Sequence, residues 1–231
     1  MPGSKKPKTQ KSRTTCMRLR ISFSKSGSLR YIGHLDLHRL WERTCRRARI
    51  PLKYSQGFHP QPKISLGCAL PLGFIGEAEL VDIQLDEELD PILVKEKLQK
   101  AVPPGLEICA IEIIDPRLPA LQTQVDSAEY LVEFLDPIEP EQIQYHIDRI
   151  VDAEAITRER KGKNYNLRPL ILSLKPEKTP GTGDAVISMR LKAAPGATGR
   201  PEEVLSEMEI HPESTRITRT ALYLIEPEKV T

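Results

Sequence analysis

No apolar run in this 231-residue chain approaches the roughly 18–20 residues that a membrane-crossing helix needs. Its first residues hold no apolar core of the secretory-signal kind. The expectation is a soluble, cytoplasmic protein with no membrane partner. Cysteine is sparse. Cys16, Cys45, Cys68 and Cys109 form no CxxC pair and match no zinc spacing. Without a secretory signal they read as reduced thiols. There is no Cx3Cx2C motif to hold an iron–sulfur cluster, and no phosphate-binding Walker loop, GxSxG elbow or dinucleotide fingerprint. No metal and no cofactor is expected.

Acids are nearly missing from the first part of the chain. Residues 1–63 contain sixteen Lys and Arg but only Asp36 and Glu42, a net of +14. The remaining residues hold eighteen bases and thirty acids, a net of −12, which leaves +2 for the whole. A segregated basic region is the electrostatic footprint of a polyanion partner.

What is present is a compact set of short periodic segments. Residues 1–16 are rich in Lys, Ser and Thr and read as a disordered basic tail. Residues 17–23 (MRLRISF) alternate, with Met17, Leu19, Ile21 and Phe23 on one face and Arg18 and Arg20 on a basic outer face. Residues 24–33 read as a loop carrying Lys25, Arg30 and Tyr31, whose backbone N–H groups can meet a phosphate. Residues 34–49 (HLDLHRLWERTCRRAR) read as a helix closed by Pro51, with Asp36 in its first turn and arginines toward its end, as the macrodipole prefers. Leu37, Leu40, Trp41, Thr44, Cys45 and Ala48 make its buried stripe. Arg39, Arg43, Arg46 and Arg47 share another face and suit bidentate phosphate contact.

Residues 52–66 set Lys53, Tyr54, Gln56, Phe58, His59 and Lys63 around Gly57, Pro60 and Pro62. Prolines and glycine give such a loop a shape. Interleaved aromatic, amide and cationic groups suit stacking and edge contacts to unpaired bases. Strand patterns follow within 64–86, a short amphipathic helix over 90–101, and a strand over 106–114.

The order from 17 to 114 is thus strand, helix, strand, strand, helix, strand, the split βαβ or ferredoxin-like order. Residues 115–126 (DPRLPALQTQVD) read as a linker. A second set follows over 127–231: a strand at 129–135, a helix at 139–151 with Ile143, His146, Ile147 and Ile150 on one face, a segment at 156–174, a Gly/Pro loop at 176–183, a strand at 185–193, a short helix at 200–208 and a last strand at 216–225. The expectation is an α+β protein of tandem ferredoxin-like (βαββαβ) domains. Within the second set, residues 157–169 (TRERKGKNYNLRP) form a further basic-aromatic hairpin candidate with Arg158, Arg160, Lys161, Lys163 and Arg168. These two patches are the candidate nucleic-acid-binding residues, and they can line one cleft.

Residues 26–73 (SGSLRYIGHLDLHRLWERTCRRARIPLKYSQGFHPQPKISLGCALPLG) resemble the radical-SAM-linked protein family, a domain of unknown function in bacteria. The segment KGKNYNLRP resembles the family's second signature, and the likeness spans about 17–225. The resemblance implies work beside, or fused to, a B12-binding-type radical SAM protein, and a gene context of ribonuclease E/G and ribosomal proteins. It brings no catalytic residues. The tandem order is also similar to that of RAMP-type CRISPR RNA endonucleases, whose terminal glycine-rich loop is missing here.

Histidines allow a catalytic alternative. His34 and His38 lie one helical turn apart, and His59 sits in the loop. A metal held by the three is geometrically conceivable, and His59 as a general base would need a nearby acid and a positioned 2′-OH. Three readings follow. The favoured one is a non-catalytic RNA-binding accessory protein that works with a radical SAM partner on structured or ribosomal precursor RNA. The others are a metal-independent endoribonuclease of RAMP-like fold and a protein-interaction domain that docks the radical SAM enzyme.

Overall fold

The computed structural model describes residues 16–178 and 185–225. The tail read over 1–16, all but Cys16, and most of the loop read over 176–183 lie outside the described residues.

In the first half, β1 (Met17–Lys25) is central. β3 (Ile75–Leu85) and β4 (Leu106–Ile114) flank it, both antiparallel, and the short β2 (Ile64–Leu66) pairs with the later part of β3. The spatial order is β4-β1-β3-β2. Alternation along β1 and β3 turns Met17, Leu19, Ile21, Phe23, Val81, Ile83 and Leu85 to one side, where α1 (His34–Arg47) and α2 (Pro91–Gln99) cover them in a single apolar cluster. Trp41 of α1 is fully buried, edge-on to Phe23 at 5.0 Å. Asp90 caps α2 by accepting from the Ile92 N–H.

The basic outer face of β1 is not a solvent face. Arg18 and Arg20 are buried, and both donate to Asp82 of β3 at 2.7–3.1 Å. Arg18 also donates to the carbonyls of Leu118 and Pro119, and Arg20 to Gln124 Oε1. Alternation reveals which residues share a face. It does not reveal that a later segment covers that face. Residues 115–124 do so here, and they carry a one-turn helix, α3 (Leu121–Gln124), whose Leu121 is fully buried.

The second half repeats the plan. β5 (Val125–Phe134) is central, between β9 (Ala185–Ala194) and β11 (Thr215–Leu224). β8 (Ile171–Lys178) lies beyond β9, giving the order β11-β5-β9-β8. α4 (Pro140–Asp152) buries Ile143, His146, Ile147 and Ile150, and α5 (Pro201–Glu207) buries Val204 and Leu205. Between α4 and β8 stands a hairpin, β6 (Thr157–Arg160) and β7 (Lys163–Asn166). Lys161 and Gly162 at its tip both have positive φ (54° and 73°), the backbone of a tight two-residue hairpin turn. A two-residue strand, β10 (Ala197–Thr198), folds back on β9.

Each half therefore has the ferredoxin-like 4-1-3-2 strand order, and the fold is a tandem α+β arrangement. The halves share one nine-stranded sheet, because the start of β3 runs parallel to β11 at Ile75–Thr218 and Gly76–Arg219. Arg219 crosses this seam and binds Glu79 through Nε at 2.7 Å and Nη2 at 2.5 Å, with both side chains out of water.

Candidate nucleic-acid interface

α1 is amphipathic by spacing alone. Its stripe of Leu37, Trp41, Thr44 and Cys45 is buried, and the Cys45 thiol is pushed up to about 12 by that burial, so it is an inert core group. Arg39, Arg43, Arg46 and Arg47 are all exposed on the other side. Arg39 touches Asp36 at 3.4 Å in water, where such pairs are weak, and Arg46 touches the half-buried Glu42 at 2.6 Å. Arg47 donates to the Ala101 carbonyl. Arg43 has no hydrogen-bond partner among the described residues.

The helix ends two residues earlier than its sequence pattern indicates. Ala48 is the C-cap, and Arg49 turns left-handed at φ 55°. The Ile50 N–H bonds the Cys45 carbonyl and the Arg49 N–H bonds the Arg46 carbonyl, a Schellman closure with arginine where glycine is usual. Arg49 at this turn is exposed. Sequence reasoning left Arg49 out of the site, since a helical wheel places it one step past the arginine face.

Pro51 leads into the loop, and the loop is braced. Lys53 N–H bonds the Gln84 carbonyl, Gln84 N–H bonds the Lys63 carbonyl, and Lys63 N–H bonds the Lys53 carbonyl. Ser55 N–H meets the Gln61 carbonyl, while Ser55 Oγ accepts from the Gln61 N–H. Leu52 and Pro62 are buried and anchor the two arms beside the end of β3. Tyr54, Gln56, Phe58, His59 and Lys63 are exposed, Lys53 half-buried, and Phe58 stands fully in water at 103% exposure. An apolar ring that exposed, on a tip held by backbone bonds, is not a core residue.

The other candidates divide. Lys25 is buried in β1, and desolvation holds its ammonium below the usual lysine range against the opposing pull of Glu79. Arg30 is half-buried over the Tyr31 ring. In the hairpin, Arg158 pairs with Glu207 and Arg160 with Glu203, and Arg168 donates to the Val151 and Ile171 carbonyls. Those arginines fasten the hairpin to α5 and to neighbouring backbone. Lys161 and Lys163 at its tip remain exposed.

The histidines do not converge. His34 and His38 line a cleft of about 670 Å³ with Cys68, Gln122 and Thr198, and His38 Nε2 lies 3.3 Å from the Ile64 carbonyl. His59 is on the loop. Burial, then the neighbouring His38, keeps the His34 ring below its ordinary pKa. Among the described residues no three His, Cys, Asp or Glu side chains are arranged to hold a metal.

The chain belongs to a bacterial protein family: the profile described as an uncharacterized protein conserved in bacteria (DUF2344) matches residues 18–201. A comparison with curated proteins gives no match. Among solved structures, a Cbf5–Nop10–Gar1 complex aligns with TM-score 0.46 and 10% identity over 88% of this chain and 48% of the other. An H/ACA ribonucleoprotein bound to a substrate RNA containing 2′-deoxyuridine aligns at 0.42 and 11% over 88% and 47%. This chain thus spans about half the length of those two. The acetolactate synthase small subunit from Thermotoga maritima aligns at 0.26 and 13% over 93% and 99%. Likenesses this distant assign no function.

Proposed function

We propose that this protein is an RNA-binding accessory protein of RNA or ribosome metabolism. The observation that carries the reading is a helix with four exposed arginines followed directly along the chain by a braced loop tipped by a fully exposed Phe58. Arg39, Arg43, Arg46, Arg47, Arg49 and Lys63 hold phosphates. Tyr54, Phe58 and His59 contact bases, and Gln56 and Lys53 add edge and backbone contacts. Aromatic rings on a cationic track are how proteins hold single strands and loops without needing a long code. Lys161 and Lys163 extend the contact when the RNA reaches the hairpin. The radical SAM partner, with ribonuclease E/G as a neighbour in the same process, is carried only by the likeness of residues 26–73 to the radical-SAM-linked family.

Ultraviolet crosslinking in cells, followed by sequencing of the RNA and mass spectrometry of the peptides, tests this. Crosslinked nucleotides on peptides spanning 39–63 are expected. Recovery of no RNA above background, together with a nuclease-insensitive pull-down of a protein partner, would instead make the same surface a protein-docking site.

A further inference from the structure

Single exposed apolar side chains need no explanation, but several around one cavity do. Tyr31, Leu72 and Leu135 are 60%, 63% and 57% exposed, and all three border one cavity of about 500 Å³ between the two halves. Arg30, Glu202, Glu213 and Arg216 are the charged residues that border it. The Arg30 guanidinium lies 4.8 Å from the Tyr31 ring centre and donates to its hydroxyl at 2.5 Å, so ring and cation act as one unit. Arg30 Nε and Glu202 Oε2 are buried with no hydrogen-bond partner among the described residues. The spare donor comes from the first half and the spare acceptor from the second, and together they fit a ligand that offers both. Arg216 reaches Glu133 at only 3.8 Å and keeps half its side chain in water.

An apolar, planar group suits the rim, and the charges choose among planar groups. Guanine presents O6 and N7 to an arginine and N–H donors to a carboxylate. Adenine has no ring N–H on its pairing edge, and the pyrimidines lack N7. We propose that this cavity receives an unpaired guanine base stacked on Tyr31. Glu202 accepts from the N1–H and N2–H₂ edge, the Arg30 guanidinium leaves the Tyr31 ring and hydroxyl to donate to O6 and N7 as the base takes its place on the ring, and Arg216 meets the adjoining phosphate. The proposal rests on the RNA-binding reading and adds the base that RNA must offer.

The test uses the full chain and fluorescence anisotropy with labelled oligouridine, with and without one central guanine. A single guanine is expected to tighten binding by about 10-fold, within the discrimination of one good bidentate pair. Glu202→Gln and Tyr31→Ala, each checked for native circular dichroism, remove that preference and leave oligouridine affinity unchanged. RNA binding that is indifferent to guanine, or a preference that survives both variants, overturns the pocket and leaves the RNA reading intact. If no RNA binds, that reading fails, and calorimetric titration with GMP decides the pocket alone. Binding lost in Glu202→Gln supports it; no binding, or binding that survives Glu202→Gln, overturns it.

Discussion

Arg219 donates to both carboxylate oxygens of Glu79, and two of its other three hydrogens go to the carbonyls of Cys68 and Ala69. A buried pair held this way tolerates the loss of neither partner, because the survivor is left charged and dry. Arg219→Ala is expected to cost about 3–5 kcal/mol in urea denaturation. Gly76 belongs to the same unit: a Cβ there would lie 2.6 Å from Glu79 Cγ, so Gly76→Ala pushes the carboxylate off Arg219 and destabilises in the same direction. Burial holds the pKa of the nearby Lys25 ammonium below its ordinary value of 10.5. As pH falls from 10.5 the unfolded chain takes up that proton first, so stability declines through the window down to the folded pKa and then levels. Lys25→Met should therefore be more stable than the natural protein at pH 7, with the gain shrinking toward pH 10.5. Denaturation midpoints at the two pH values check this; a gain that is equal at both contradicts it.

At the scale of elements, α1 and the loop have separable roles. The left-handed backbone at Arg49 costs roughly 1–2 kcal/mol for any side chain but glycine. Arg49→Gly should raise the melting temperature, yet lower the slope of log K against log salt by about 0.7 if one phosphate contact is lost. Stability and RNA affinity moving in opposite directions would mark a residue kept for binding. Phe58→Ala should leave the melting temperature unchanged, since the ring buries nothing, and weaken single-stranded RNA binding by about 1–3 kcal/mol. Unaltered affinity would remove Phe58 from the interface. Much of these elements was legible in the sequence. The stripe from Leu37 to Ala48 and the face of Ile143, His146, Ile147 and Ile150 follow from a 3.6-residue period and are the faces buried in the fold. The fates of the arginines were not legible. Arg43, Arg20 and Arg160 look alike in sequence, but one meets water, one meets Asp82 across the sheet and one meets Glu203 on α5. Partners 62 and 43 residues away leave no periodic trace.

Across the whole molecule, each half alone follows from its strand–helix order, but the seam does not. Two backbone pairs between β3 and β11, with Arg219–Glu79 beside them, turn two small sheets into one. Parallel pairing between residues 75 and 218 has no local signal. The seam predicts a single cooperative unfolding transition by calorimetry in the natural protein and two resolved transitions in Arg219→Ala. One sharp transition in both would show that the seam is not what couples the halves. The two cavities that straddle it, one with His34 and one with Arg30, are equally products of that union.

The central claim is that the helix and loop together form an RNA-binding surface. Its most direct test is anisotropy titration of labelled single-stranded RNA across a range of salt concentrations, comparing the natural protein with Arg43→Ala/Arg46→Ala/Arg47→Ala. The account predicts binding that weakens steeply with salt, and a triple variant that binds far more weakly with a slope shallower by about 2. Equal affinity and equal slope for the two proteins would contradict it.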